Sequence, residues 1–207
     1  MRLILSGGGD PSKTKETDEE FVRLVGTKKI LYIPIAKKTR PFEECYSWIS
    51  KVFSEIGFVG EIVMWTDLKG KSLKDLDEFG GVFIGGGNTF SLLNDFKESN
   101  FLEVLKEYIK RERGVVYGAS AGTVIFGADI SIAKDAGDEN LIKLRDYNSM
   151  NLLDKYNIWP HYRIEQEKLI ISNIKKGKPI IAIPEGSGII INRTKRIYLG
   201  KVYFFDL

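Results

Sequence analysis

A chain of 207 residues, 43% hydrophobic and 29% charged, is long enough to bury one full core and has the make-up of an ordinary soluble globular protein. Lysine and arginine exceed the acids by only three and are interspersed with them, so the charge pattern gives nucleic-acid binding no support. A single cysteine and a single histidine exclude an internal disulfide and argue against a protein zinc site, while no apolar run approaches the roughly 18 residues of a membrane helix.

The N-terminal MRLILSGGGD has too short an apolar run for a signal-peptide core, and with one cysteine in use a cytoplasmic location is expected. Residues 3–6 predict a short strand ending in Gly7-Gly8-Gly9-Asp10. The stretch to Thr14 approaches the phosphate-binding pattern G-x-x-x-x-G-K-[ST], with Lys13-Thr14 in register, but Ser12 stands at the second glycine and Pro11 removes a backbone N–H. Residues 15–20 read as too charged for a helix start packed on a sheet, so nucleotide binding is not expected there.

A helix at 19–25, a buried strand at 29–35, an amphipathic helix at 42–58, a strand at 61–65, a short helix near 73–79 and a buried strand at 81–84 follow. This alternation is the rhythm of a parallel sheet flanked by helices. Cys45, Trp48 and the aromatic residues of the second helix fall at helical spacing and read as core. The strand at 81–84 runs into Gly85-Gly86-Gly87-Asn88-Thr89-Phe90, then a helix with Leu92, Leu93 and Phe96 on one face. Three glycines leave backbone N–H groups unshielded at the carboxyl edge of a sheet, which suits an anion. A dinucleotide fingerprint would need a glycine where Phe90 stands.

After a helix at 101–111, the strand at 115–117 turns into Gly118-Ala119-Ser120-Ala121-Gly122, a G-x-S-x-G elbow that makes Ser120 a candidate nucleophile. The Ala121 N–H and the glycine loop would form the two halves of an oxyanion hole. Further on, 128–133 reads as a strand, 134–139 as a polar loop holding Asp135 and Asp138, and 141–153 has no clear period. A helix at 164–176 precedes strands at 179–183, 188–191, 196–199 and 202–205, spaced as antiparallel hairpins. No repeat or linker divides the chain, so one α/β domain over 1–207 is expected.

A serine nucleophile needs a base and a group to hold that base. His161 is the only histidine available. The orienting carboxylate stays open between the loop acids Asp135 and Asp138 and Glu185, which lies in a Pro-Glu-Gly turn.

Together, GGGNTF at 85–90, GASAG at 118–122, His161 after a proline and IPEG at 183–186 resemble the peptidase E family of serine peptidases, family S51, the aspartyl dipeptidases to which cyanophycinases are related. The resemblance spans nearly the whole chain. It implies an α/β fold like the class I glutamine amidotransferases: a mostly parallel sheet flanked by helices, with antiparallel C-terminal strands. It also implies cofactor-free hydrolysis of small peptides with an N-terminal aspartate. Carried over by position, it makes Ser120 the nucleophile, His161 the base, Asp135 the triad acid, and Gly87 and Ala121 the oxyanion donors. Glu185 matches a glutamate near the family's site and is a rival or supplementary acid. Gly86 and Asn88 are further substrate-binding candidates. The loop after His161 is shorter than in the dipeptidases, leaving Arg163 as the nearest cation for a substrate carboxylate. Hydrolysis of isoaspartyl or cyanophycin-like dipeptides, or a binding protein without turnover, are the competing readings. The mildly basic surface names no protein partner, and a homodimer is compatible with it.

Overall fold

The computed structural model describes residues 1–206. The first strand, β1 (Arg2–Ser6), leads through the glycine loop into α1 (Pro11–Val25). Then come β2 (Lys29–Ile33), α2 (Phe42–Glu55), β3 (Ile62–Met64), α3 (Leu73–Leu76) and β4 (Phe79–Ile84). Helices α4 (Thr89–Glu98) and α5 (Phe101–Lys110) precede β5 (Val115–Ala119) and the single turn α6 (Ala121–Val124). The remainder holds β6 (Asn157–Pro160), α7 (Glu167–Ile174), β7 (Ile180–Ile183), β8 (Gly188–Asn192), β9 (Lys195–Leu199) and β10 (Tyr203–Phe205). No described helix is long and apolar enough to cross a membrane.

The main sheet has seven strands in the order β3-β2-β4-β5-β1-β8-β9. The first five are parallel, and β8 and β9 are antiparallel to their neighbours. Strands apolar at every position put alternate residues on opposite faces, and both faces are covered. Leu3, Leu5, Leu31, Ile33, Val82 and Ile84 pack on one side with α4 and α5. Ile4, Ile30, Tyr32, Phe83 and Tyr117 pack on the other with α1 and α2. On that side Phe83 stacks on Tyr117, ring centroids 4.6 Å apart, and Phe21 leans on both.

Several local expectations change. The first helix begins at Pro11, not residue 19, because the Asp10 carboxylate caps the Ser12 and Lys13 N–H groups and proline fits the first helical position. Its other charges face solvent while Thr14, Thr17, Asp18, Phe21 and Val25 go inward. Residues 128–133 form turns and a 3-10 segment (Ser131–Ala133), with one isolated bridge from Asp129 to Asn148. The predicted hairpin from 179–183 to 188–191 does not form. Instead β7 joins a second sheet, order β10-β7-β6, parallel to β6. The intervening turn lets β8 satisfy the free edge of β1, which would otherwise carry unpaired backbone groups.

Asp18 is a buried carboxyl in this frame. It accepts hydrogen bonds from Thr14 Oγ1 at 2.7 Å and the Tyr117 hydroxyl at 2.8 Å, yet burial pushes its pKa from 3.8 up to about 6. A pKa raised on folding means that this group's contribution is fully present below pH 4 and is lost as pH rises through 6. Asp18→Asn, neutral throughout, is therefore expected to gain stability relative to the wild type between pH 4 and 7, by up to about 3 kcal/mol. Denaturant titrations at several pH values check this; parallel stability profiles for the two proteins would contradict it.

Candidate active site

Ser120 sits where β5 meets α6 with φ 53° and ψ −112°, a left-handed backbone that a non-glycine residue adopts only when its surroundings impose it. They do so through contact. A Cβ on Gly118 would stand 2.4 Å from the Gly122 oxygen, and one on Gly122 would stand 2.4 Å from the Ile84 oxygen, so neither glycine tolerates a side chain. The Ser120 N–H donates to the Ser6 oxygen at 3.3 Å, and Thr123 Oγ1 accepts from the Ser6 N–H at 3.1 Å, which ties the elbow to the end of β1.

His161 follows β6 and also has a positive φ, 51°. Its N–H donates to the Gly7 oxygen at 3.0 Å, and its ring lies on Gly8, where an added Cβ would come within 2.5 Å of Cε1. The imidazole joins two groups: Nε2 is 2.7 Å from Ser120 Oγ, and Nδ1 is 3.0 Å from Glu185 Oε1. An ionised carboxylate can only accept, so Nδ1 carries the proton and Nε2 is free to accept from the serine hydroxyl. Glu185 is held well suited to this. The ion pair with Lys13, then the bond from His161, lower its pKa below the usual carboxylate value. Its turn closes with the Ser187 N–H donating to the Pro184 oxygen, Gly186 supplying φ 71°, and the Gly186 N–H donating to the Gly8 oxygen at 2.9 Å.

The glycine loop after β4 reaches the other side of the serine. A Cβ on Gly86 would stand 3.2 Å from Ser120 Cβ. Gly87, at φ 149°, lies against the Ala36 backbone too closely for any side chain. The N–H groups of Gly86, Gly87 and Ala121 make no backbone hydrogen bond among the described residues. Gly86 is the one whose contact with Ser120 is direct, and Ala121 follows the serine in the chain. A cavity of about 470 Å³ opens from Ser120 and His161 between the loops after β1, β2 and β4. Tyr32, Cys45, Trp48 and Phe83 form its apolar wall; Lys37 and Arg40, the latter bonded to Glu44 at 3.1 Å, are its exposed cations and Asp10 its one carboxylate.

Other expected site residues lie elsewhere. Asp135 is not at the imidazole: its Oδ2 accepts from Asn173 Nδ2 at 2.8 Å and so ties the 3-10 segment to α7. Asp138 lies nearer, lining a small pocket of about 50 Å³ with Ser120 and His161, but its carboxylate caps α4 by accepting from the Thr89 N–H and makes no bond to the imidazole. Residues 131–133 form a 3-10 turn instead of the end of a strand, and Asn173 of α7 holds the Asp135 carboxylate away from the ring. Asn88 is the N-cap of α4, bonded to the Ser91 N–H and the Glu139 oxygen, and does not face the cavity. Arg163 is exposed and lies outside the cavity lining. Trp48, read as core, contributes to the cavity wall while also packing on the buried cluster. Sequence reasoning missed Gly8, Lys13, Lys37 and Arg40. The first two had a signal, a second glycine triplet directly after a strand.

The chain matches the family model described as peptidase family S51 over residues 3–198. It is 27% identical over 183 residues to peptidase E of Shewanella denitrificans, covering 82% of this chain and 74% of that protein. With a Drosophila melanogaster protein named probable alpha-aspartyl dipeptidase it shares 24% identity over 208 residues, 95% of this chain and 82% of that one. A crystal structure from Listeria monocytogenes, provisionally assigned as a peptidase E protein, superposes with a TM-score of 0.74 over 95% of this chain and 96% of that one at 23% identity, a likeness of fold.

Gly8 offers a direct check on this geometry. Gly8→Ala sets a methyl into the imidazole at a backbone of φ 82° and is expected to slow labelling of Ser120 by a fluorophosphonate about 100-fold, with the far-ultraviolet circular dichroism retained. Labelling at the wild-type rate would show that the ring does not depend on this contact.

Proposed function

The chain belongs to peptidase family S51, and we propose that it cleaves small peptides, above all dipeptides with an N-terminal aspartate, through an acyl-enzyme on Ser120. The observation that carries this reading is the unbroken line of contacts from Ser120 Oγ through His161 to Glu185 Oε1, at 2.7 and 3.0 Å. Ser120 attacks the peptide carbonyl while His161 Nε2 takes its proton. The Glu185 carboxylate stabilises the imidazolium that forms. Charge developing on the carbonyl oxygen is met by the N–H groups of Ala121 and of Gly86 or Gly87, each such donor worth about 100- to 1,000-fold in rate. Imidazolium then protonates the departing amine. Water, activated by the same ring, attacks the acyl-serine and releases the N-terminal residue.

The cavity supports an acidic, zwitterionic substrate. Its cations Lys37 and Arg40 suit a side-chain carboxylate, and Asp10 on the facing loop suits an α-ammonium group. The name of the Drosophila relative agrees with that preference. In this reading Arg40 takes the role expected of Arg163.

Hydrolysis of Asp-Leu, isoAsp-Leu, Asn-Leu and Leu-Leu by the wild type, Ser120→Ala and Arg40→Met tests it. Asp-Leu is expected to be the best substrate. Ser120→Ala should lose at least about 10⁴-fold in kcat. Arg40→Met should narrow the Asp-Leu over Asn-Leu preference by about 10- to 100-fold, the worth of one charge-assisted hydrogen bond. Full activity in Ser120→Ala would overturn the mechanism, and cleavage of isoAsp-Leu in place of Asp-Leu would overturn the specificity.

A further inference from the structure

Glu185 has two carboxylate oxygens, and only Oε1 faces His161. Oε2 accepts from Lys13 Nζ at 2.7 Å. A solvent-exposed ion pair stabilises little by itself, so the contact alone would mean nothing. Two further features set it apart. Lys13 occupies the third position of α1, where the helix dipole disfavours a cation, and its one acidic neighbour there, the N-cap Asp10, lies at 3.8 Å, farther than Glu185. Its side chain is also confined. An added Cβ on Gly9 would stand 3.2 Å from Lys13 Cβ and 3.3 Å from its Cδ, and one on Gly186 would stand 3.3 Å from its Cβ. Both glycines have positive φ, 128° and 71°. The aliphatic stem thus runs between two glycine turns, one carrying the loop under the imidazole and the other carrying Glu185 itself.

We propose that Lys13 is a positioning residue of the Ser120–His161–Glu185 system: it fixes the Glu185 carboxylate on Nδ1 of His161 and shares its charge. The inference rests on the serine mechanism proposed above. It also accounts for the partial phosphate-loop pattern at 7–14, whose lysine addresses a protein carboxylate instead of a phosphate. The ionisable groups around the contact are few. Lys13 and Asp10 come from the start of α1, 3.8 Å apart; His161 comes from the end of β6, Glu185 from the turn before β8, and the neutral Ser120 from the elbow. Lys13 lines none of the substrate cavity, so its loss should act on kcat and leave KM alone.

The test compares the wild type with Lys13→Met, Lys13→Arg and Glu185→Gln by Asp-Leu kinetics, fluorophosphonate labelling of Ser120 against pH, and nuclear magnetic resonance titration of His161, which as the only histidine gives one imidazole signal set. In Lys13→Met, kcat and labelling are expected to fall about 10-fold with KM unchanged, and Lys13→Arg to recover most of the loss. The His161 titration in Lys13→Met should move toward that of Glu185→Gln, because the carboxylate is no longer held on Nδ1, whereas a move in the opposite direction would mean that Lys13 acts only as a nearby charge and overturns the positioning role. A wild-type rate in Lys13→Met, or an unmoved His161 titration, overturns the proposal. A wild type that neither hydrolyses peptides nor labels at Ser120 overturns the serine mechanism itself, while the titration still reports whether Lys13 acts on His161.

Discussion

The site depends on how closely backbone can approach backbone at the carboxyl end of β5. Ser120 keeps its left-handed conformation because Gly118, Gly122 and Gly86 let three segments close on it within distances no Cβ would permit. The parallel order β4-β5-β1 makes this possible, since it brings the loops after β4 and β1 to either side of the elbow. One loop offers free N–H groups, and the other supports the imidazole of His161, which enters from the end of β6. Neither could reach the serine if the strands were ordered otherwise, and ligands of open α/β sheets gather at this kind of strand edge.

The electrostatics follow from the same loops. His161 and Glu185 are each partly exposed, so the contact between them adds little to the stability of the fold. What it supplies is orientation. The Gly7 oxygen, the Gly8 surface and the Gly186 N–H fix both partners to the loop after β1, and Lys13 takes the spare carboxylate oxygen. A buried layer beneath supports the loop: the Gly8 N–H donates to Ser6 Oγ, and Thr17, Tyr117 and Asp18 form a hydrogen-bonded cluster below. The cavity's cations lie on the loop after β2, on a different wall from Ser120 and His161, which follow β5 and β6.

Much of this was legible in the residues. Apolar runs alternating with helical periods disclosed the parallel sheet, and small residues crowded around a serine disclosed the elbow. His161 followed from its being the sole histidine. The acid was not legible in the same way: the resemblance to peptidase E carried Asp135 into the triad, whereas a Pro-Glu-Gly turn brings Glu185 to the ring from a segment 24 residues past the histidine. Helix α1 was missed at its start because its exposed charges hid a buried stripe of Thr14, Thr17, Phe21 and Val25. The cavity cations were missed because a loop's direction depends on tertiary contacts, here the Gly87 approach to Ala36, that no local pattern records.

The central claim is that Glu185, and not Asp135, holds the histidine. Proton nuclear magnetic resonance at acidic pH addresses it most directly, because a strongly deshielded imidazole Nδ1 proton has a single source in a chain with one histidine. The account predicts that this resonance is present in the wild type, persists in Asp135→Asn and disappears in Glu185→Gln. Its persistence in Glu185→Gln, with loss in Asp135→Asn, would contradict the account.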